Sequence, residues 1–386
     1  MKSNFDNALA VDHLPVVYQN PYKSVHCTAK LFHDYPQLAY HVRKIWFNGI
    51  YSSDTVSNVF AILKNCINLR TVTVPWTALR YGGSQEWGNV LSFPRLTSLE
   101  LLAVPLKGQV CAMPNMHIDS EVLLGQDSSP LDFRNLRRLK IFGDSNLKPI
   151  NDDDLILMAK TATNLEEILI TNVSTVTIRG VTALVSASRN SLKLLEFIPL
   201  AEGGFEPPLD PTNNSSSLSS SNGSDEDMHI CSLLASCPHL NDLAVTLPCA
   251  CPELFRNPRV HWDETVRVRV GSGIIMGRDV EDLAALLESA RTLLEQKRKD
   301  GNKLRDIEIA VGPYIFETKA RLVHGNYKEA KMMSDDMRWQ PVEISSVKGP
   351  YGYTGLYGGG LKGEWTAILE CDFLEAVAAG LVHLDS

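Results

Sequence analysis

At 386 residues, with 44% hydrophobic and 21% charged side chains, the chain is long enough to bury a large core and too apolar to remain unfolded. A formal net charge of -8 leaves no basic excess for counterion release, which removes nucleic acid from the expected partners. No run approaches the roughly 20 apolar residues of a membrane helix, and Met1 to Ala10 lacks the basic-then-apolar profile of a secretion signal; the expectation is a cytoplasmic or nuclear protein without membrane attachment, its eight cysteines reduced.

In chain order, the pattern apolar-x-x-apolar-x-apolar recurs: Val42, Ile45, Phe47; Leu69, Val72, Val74; Leu96, Leu99, Leu101; Leu136, Leu139, Ile141; Leu165, Ile168, Ile170; Leu192, Leu195, Phe197. The first positions are 27, 27, 40, 29 and 27 residues apart. After an interruption come Leu240, Leu243, Val245, then Val266, Val268, Val270, then Leu304, Ile307, Ile309. Helices are expected between these strands. Asp54 is expected to cap one carrying Val56, Val59, Phe60 and Leu63, and Asp153 one carrying Leu155, Met158 and Ala162. Val181, Leu184 and Val185 form a shorter stripe, and Asp279 opens the longest, ending at Gly301. The expected class is therefore α/β, a leucine-rich-repeat solenoid with a curved parallel sheet inside and helices outside. A doubly wound α/β domain is the alternative, but it requires neither a fixed repeat length nor a repeated strand motif.

Period-two alternation along each strand then divides its residues between two faces. With Leu139 and Ile141 in the core, Arg138, Lys140 and Phe142 fall on the opposite, inner face. The same register places Lys44, Trp46, Thr71, Thr73 and Glu100 there on earlier strands, and Glu167 and Glu196 on later ones. Such a mixed-charge strip with aromatics suits a protein partner, because aromatics anchor and charges select.

Residues 164 to 197 read Asn-Leu-Glu-Glu-Ile-Leu-Ile, then Val176-Thr-Ile-Arg-Gly-Val-Thr-Ala-Leu184, then Ser191-Leu-Lys-Leu-Leu-Glu-Phe197. This stretch resembles the ribonuclease-inhibitor-like repeats of F-box/leucine-rich-repeat proteins, and Tyr35 to Phe47 is similar to the first strand after the F-box in many fungal members. The resemblance covers roughly residues 35 to 310. It implies a non-enzymatic interaction module, without cofactor or metal, that recognises the substrate of an SCF-type ubiquitin ligase. The F-box itself is not recognisable, Leu14-Pro15 being its only echo, so a Skp-type adaptor as partner is left open. The asparagine expected after each strand appears only at Asn172. The resulting division is a cap or F-box-adjacent remnant over 1–34, a solenoid over 35–312 and a glycine-rich capping region over 313–386.

Within the solenoid, residues 201–227 are expected to be a disordered insertion, since Leu218 alone is apolar between Asn213 and Ser224. Ser221 and Ser224 there precede Asp225-Glu226-Asp227 as acidophilic kinase sites would. The competing function is a nucleotide-binding enzyme using the loop Gly271 to Gly277, which follows a strand and precedes a helix but has no acidic residue at the tip of the next strand. His229, Cys231, Cys237, His239, Cys249 and Cys251 lie close together, yet none forms a Cys-x-x-Cys pair. Asp152, Asp153 and Asp154 are read as helix-start residues rather than ligands.

Overall fold

The computed structural model describes residues 21–47, 53–102, 131–143, 150–199, 230–248, 250–263, 265–270, 279–304, 306–311, 314–317, 321–324, 340–342, 365–369, 374–375 and 378. The expected insertion, the Gly271 to Gly277 loop and most of the glycine-rich tail lie outside these residues. The fold is α/β, and the chain forms two compact units. One comprises residues 1–135 with 145–148, the other 136–144 with 149–386. Their boundary falls in the 40-residue interval between the third and fourth sequence copies.

In unit 1, helices α1 (Pro21–Asp34) and α2 (Pro36–Ala39) precede strand β1 (Lys44–Trp46). Then follow α3 (Ser53–Leu63), β2 (Thr71–Pro75), α4 (Trp76–Tyr81), α5 (Ser84–Leu91) and β3 (Ser98–Leu102). The strands are parallel, pairing β1 to β2 through Ile45 opposite Val72, and β2 to β3 through Val72 opposite Leu99. Each copy of the motif therefore lies beside the same position of the next. The α3 stripe Val56, Val59, Phe60 and Leu63 is buried as its spacing predicts, but the helix begins at Ser53, so Asp54 lies within its first turn. Helices α4 and α5 had no periodic signal. Their anchors are single large residues: Trp76 and Trp87 are fully buried, Trp87 Nε1 donates to the Ala78 carbonyl at 3.1 Å, and its ring stands edge-on to Phe60 at 5.2 Å.

Unit 2 continues the alternation with β4 (Arg138–Phe142), α6 (Asp152–Ala159), β5 (Glu167–Thr171), α7 (Ile178–Ala187) and β6 (Leu194–Ile198). Next come α8 (Ile230–Ala235), β7 (Asp242–Leu247), α9 (Glu253–Arg256), β8 (Thr265–Val270), α10 (Asp279–Lys299) and β9 (Asp306–Val311). Strands β4 to β9 form one parallel series in sequence order. Beyond it the sheet turns antiparallel through β10 (Tyr314–Glu317), β11 (Arg321–His324), β13 (Trp365–Leu369) and, outermost, β12 (Gln340–Val342).

Stacking is enforced by hydrogen bonds between successive copies. The carbonyl just before each strand accepts two amides from the next copy: Arg43 from Arg70 and Thr71, and Arg70 from Thr97 and Ser98. In unit 2, Arg137 serves Glu166 and Glu167, and Glu166 serves Lys193 and Leu194 in the same way. Side chains repeat the device, Ser188 Oγ donating to Ala162 at 2.6 Å and Ser191 Oγ to Leu165 at 2.8 Å. Carbonyls that a strand end would leave unpaired are thus satisfied by the adjacent repeat.

Helix α6 corrects one expectation, because its cap is Asn151 rather than Asp153. Asp154 N donates to Asn151 Oδ1 at 3.2 Å while Asn151 N donates back to Asp154 Oδ2 at 2.9 Å, a reciprocal capping box that buries Asp154. Asp153 instead faces solvent and pairs with Arg179 at 3.3 Å. Helix α10 stops where expected: Gly301 has φ +68°, the left-handed conformation in which glycine carries no Cβ penalty.

Candidate interaction surface

Along each parallel strand, alternate residues are packed into the core, and the residues between them form the second face. In unit 2, Leu139, Ile141, Ile168, Ile170, Leu195, Phe197, Leu243, Val245, Val266, Val268, Ile307 and Ile309 are all buried. The register then lines up the opposite face in rows. Arg138 lies beside Glu167, followed by Leu194 and Asp242; Lys140 lies beside Leu169, then Glu196, Ala244, Arg267 and Glu308. A third row begins with Phe142 and Thr171. The five inner-face residues predicted in this unit, Arg138, Lys140, Phe142, Glu167 and Glu196, therefore share one face.

In unit 1, the same rule places Lys44, Thr71 and Ser98 in one row and Trp46, Thr73 and Glu100 in another. All five residues predicted there share a face. Trp46 is 67% exposed, whereas Thr73 is buried and donates through Oγ1 to Glu100 Oε2 at 3.0 Å.

The charges on this face are largely matched within it. Arg138 pairs with Glu167 at 3.2 Å, Arg267 with Glu308 at 3.4 Å, and Lys140 Nζ stands 5.6 Å from the centre of the Phe142 ring. The half-exposed Arg138, Lys140, Phe142 and Glu167 are reachable by a partner. Glu196 is not: only 3% of its surface is exposed, so it does not contribute to the open strip that the sequence suggested. Burial, reinforced by the nearby Asp242 carboxylate and opposed by Lys140 and Arg267, pushes its carboxyl up to about 7. Among the described residues, Glu196 Oε2, Thr171 Oγ1 and Thr246 Oγ1 are buried without a hydrogen-bond partner.

Arg267, Arg269 and Glu308 were missed on this face, although the signal was available. Applying the Val266, Val268, Val270 alternation to the residues between them gives Arg267 and Arg269 directly. Their strand had been recognised without its inner-face residues being assigned.

Cys66 and Cys237 are poorly suited to metal or nucleophilic chemistry. Cys66 and Cys237 are buried, and desolvation pushes their thiols up to about 12 and about 11, so both remain protonated near neutral pH. Cys237 Sγ donates to the Leu233 carbonyl at 3.3 Å. His229 and Cys249 lie outside the described residues, and among those described no group of His, Cys, Asp and Glu is arranged to hold a metal ion. No described helix is long and apolar enough to cross a membrane.

Against known proteins, no family model matches the chain, and no curated protein matches it.

Proposed function

We propose that the chain is a leucine-rich-repeat solenoid of the F-box-associated kind, and that the strip around Arg138, Lys140, Phe142 and Glu167 holds another protein. The observation that carries this reading is the register of β4 and β5, which aligns two cations, an aromatic ring and a carboxylate on one accessible face while every alternate residue is consumed by the core. A rigid strand platform costs little ordering entropy on binding, and a centre of Arg and Phe has the composition of an interface anchor. In this reading the protein selects a substrate for an SCF-type ubiquitin ligase in the cytoplasm or nucleus, and recruitment through a Skp-type adaptor is a separate part of the proposal.

The experiment is quantitative affinity purification from native cells with the wild type, Arg138→Glu/Lys140→Glu and Lys160→Glu. Lys160 is exposed at the end of α6, off the strand face, and serves as the control. The double reversal should lose the main partner while retaining the wild-type circular dichroism spectrum, and the control should keep it. Since Arg138 pairs with Glu167, a swapped Arg138→Glu/Glu167→Arg variant guards against simple destabilisation: it restores the ion pair yet changes the pattern offered to the partner. Retention of the same partner by all variants would remove the strip from consideration.

A further inference from the structure

Six large hydrophobic side chains between positions 31 and 67 are exposed: Leu31, Tyr35, Leu38, Tyr40, Trp46 and Ile67. Their concentration is structural as well as sequential. The Tyr35 amide donates to Leu31 at 2.8 Å and the Leu38 amide to Tyr35 at 3.0 Å, which sets these three on successive turns at the junction of α1 and α2. Tyr40 is tied to the next copy, its carbonyl accepting Arg43 Nη1 at 2.8 Å and Asn68 Nδ2 at 3.0 Å. The latter bond draws the turn bearing Ile67 to the same end of unit 1. Strand β1, carrying Lys44 and Trp46, pairs with β2 on one side, and among the described residues nothing pairs with its other edge.

Scattered exposed apolar residues are ordinary, but six within one short stretch, beside a strand edge that no described residue pairs, mark a contact surface. Charge indicates what it contacts. Residues 21–70 contain six Lys or Arg against two Asp, a balance of +4 in a chain whose overall charge is -8. Lys30, Lys44 and Arg70 from this group are exposed, against the single exposed carboxylate of Asp34 among the described residues of the same stretch. An excess of exposed cations in the same stretch as exposed aromatic and aliphatic side chains is complementary to apolar side chains flanked by carboxylates.

We infer that the β1 end of unit 1 is a second protein-binding surface, and that its occupant is a partner segment carrying apolar side chains between acidic ones. This surface belongs to unit 1, and its argument does not depend on the Arg138 reading.

Fluorescence anisotropy on the full chain tests it with two labelled probes: a short peptide alternating Glu with Phe and Leu, and its counterpart with every Glu replaced by Lys. The acidic peptide is expected to bind about tenfold or more tighter than the basic one. Trp46→Ala and Leu38→Ala should each weaken it by about tenfold, Lys44→Glu/Arg70→Glu should remove the acidic preference, and Arg138→Glu/Lys140→Glu should leave it unchanged. Both apolar positions are exposed, so these variants are expected to fold normally, which circular dichroism would verify. Equal binding of the two peptides, no binding, or insensitivity to Trp46→Ala and Leu38→Ala would each overturn the inference. A concentration-dependent dimer in light scattering that Trp46→Ala dissociates would also overturn it, by making a second copy of the chain the occupant.

Discussion

The Asp152 carboxylate and the Gly180 amide meet across a repeat boundary: Gly180 N donates to Asp152 Oδ1 at 3.1 Å, and a Cβ added at Gly180 would lie 2.6 Å from that same oxygen. Thr177, the cap of α7, joins them, its amide donating to Oδ1 at 2.8 Å and its hydroxyl to Oδ2 at 2.5 Å. One carboxylate from the start of α6 thus satisfies donors at the start of α7. Helix propensity alone would make Gly180→Ala stabilising by up to about 1 kcal/mol. The opposite is expected here, a net loss of about 1 to 2 kcal/mol, because the new methyl also comes within 3.0 Å of the Asp152 backbone and Leu155. Urea denaturation checks this, and a gain in midpoint would contradict the assigned contact.

Core substitutions test the repeat register directly. Leu139 and Ile168 are fully buried and lie opposite each other across β4 and β5. Each change to Ala should cost about 2 to 4 kcal/mol through lost burial and the remaining cavity. Because the two side chains share a neighbourhood, the double variant should depart from the sum of the single losses, and a double-mutant cycle in urea measures the difference. Neutral single variants would mean that the alternation is drawn one residue out of register.

The residue after a strand is constrained in two neighbouring copies. Gly143 after β4 has φ +97° and donates to the Thr171 carbonyl at 3.1 Å; Asn172 after β5 has φ +57° and donates to Ile198 at 2.8 Å. Only glycine, and to a lesser extent asparagine, adopts this conformation readily. Asn172→Val should therefore lose about 1 to 2 kcal/mol while Asn172→Gly remains close to wild type, as thermal unfolding would report. Similar losses for both would indicate that the asparagine side chain, rather than the backbone angle, matters at this position.

The strands were legible because their signal is doubled: a two-residue alternation inside a repeat of nearly constant length. Ile45, Val72, Leu99, Leu139, Ile168, Leu195, Leu243, Val266 and Ile307 all occupy equivalent strand positions. Helix stripes were legible for the same reason, but caps were not. Asn151 and Asp153 are both plausible cap types two residues apart, and the reciprocal bond with Asp154 decides between them. Helices α4 and α5 were missed because isolated tryptophans, not a periodic stripe, hold them. On the strand face, parity identified which residues share a side, but it contained nothing about depth. Thr73 and Glu196 read as surface positions because they are polar, and they are buried.

Glu196 provides the last prediction, one of pH dependence. It stands in a row with Lys140, Leu169, Ala244, Arg267 and Glu308, with Asp242 close enough to repel it and the Arg138–Glu167 and Arg267–Glu308 pairs on flanking strands. Its carboxyl is ordinary in the unfolded chain, near 4.5, and pushed up to about 7 in the folded one. Between those values the folded state binds more protons than the unfolded state, so stability falls as pH rises through this window and is level above it. The contribution of this one group across the window is on the order of 3 kcal/mol. Other groups titrate over the same range, so the informative quantity is the difference between the wild type and Glu196→Gln. Glutamine keeps the shape and cannot ionise. Unfolding free energies in urea at pH 5 and pH 8 should therefore fall more steeply for the wild type than for the variant, and the variant should be the more stable protein at pH 8. Equal slopes for the two proteins would show that Glu196 is ionised in the folded chain throughout, with its charge fully compensated by Lys140 and Arg267.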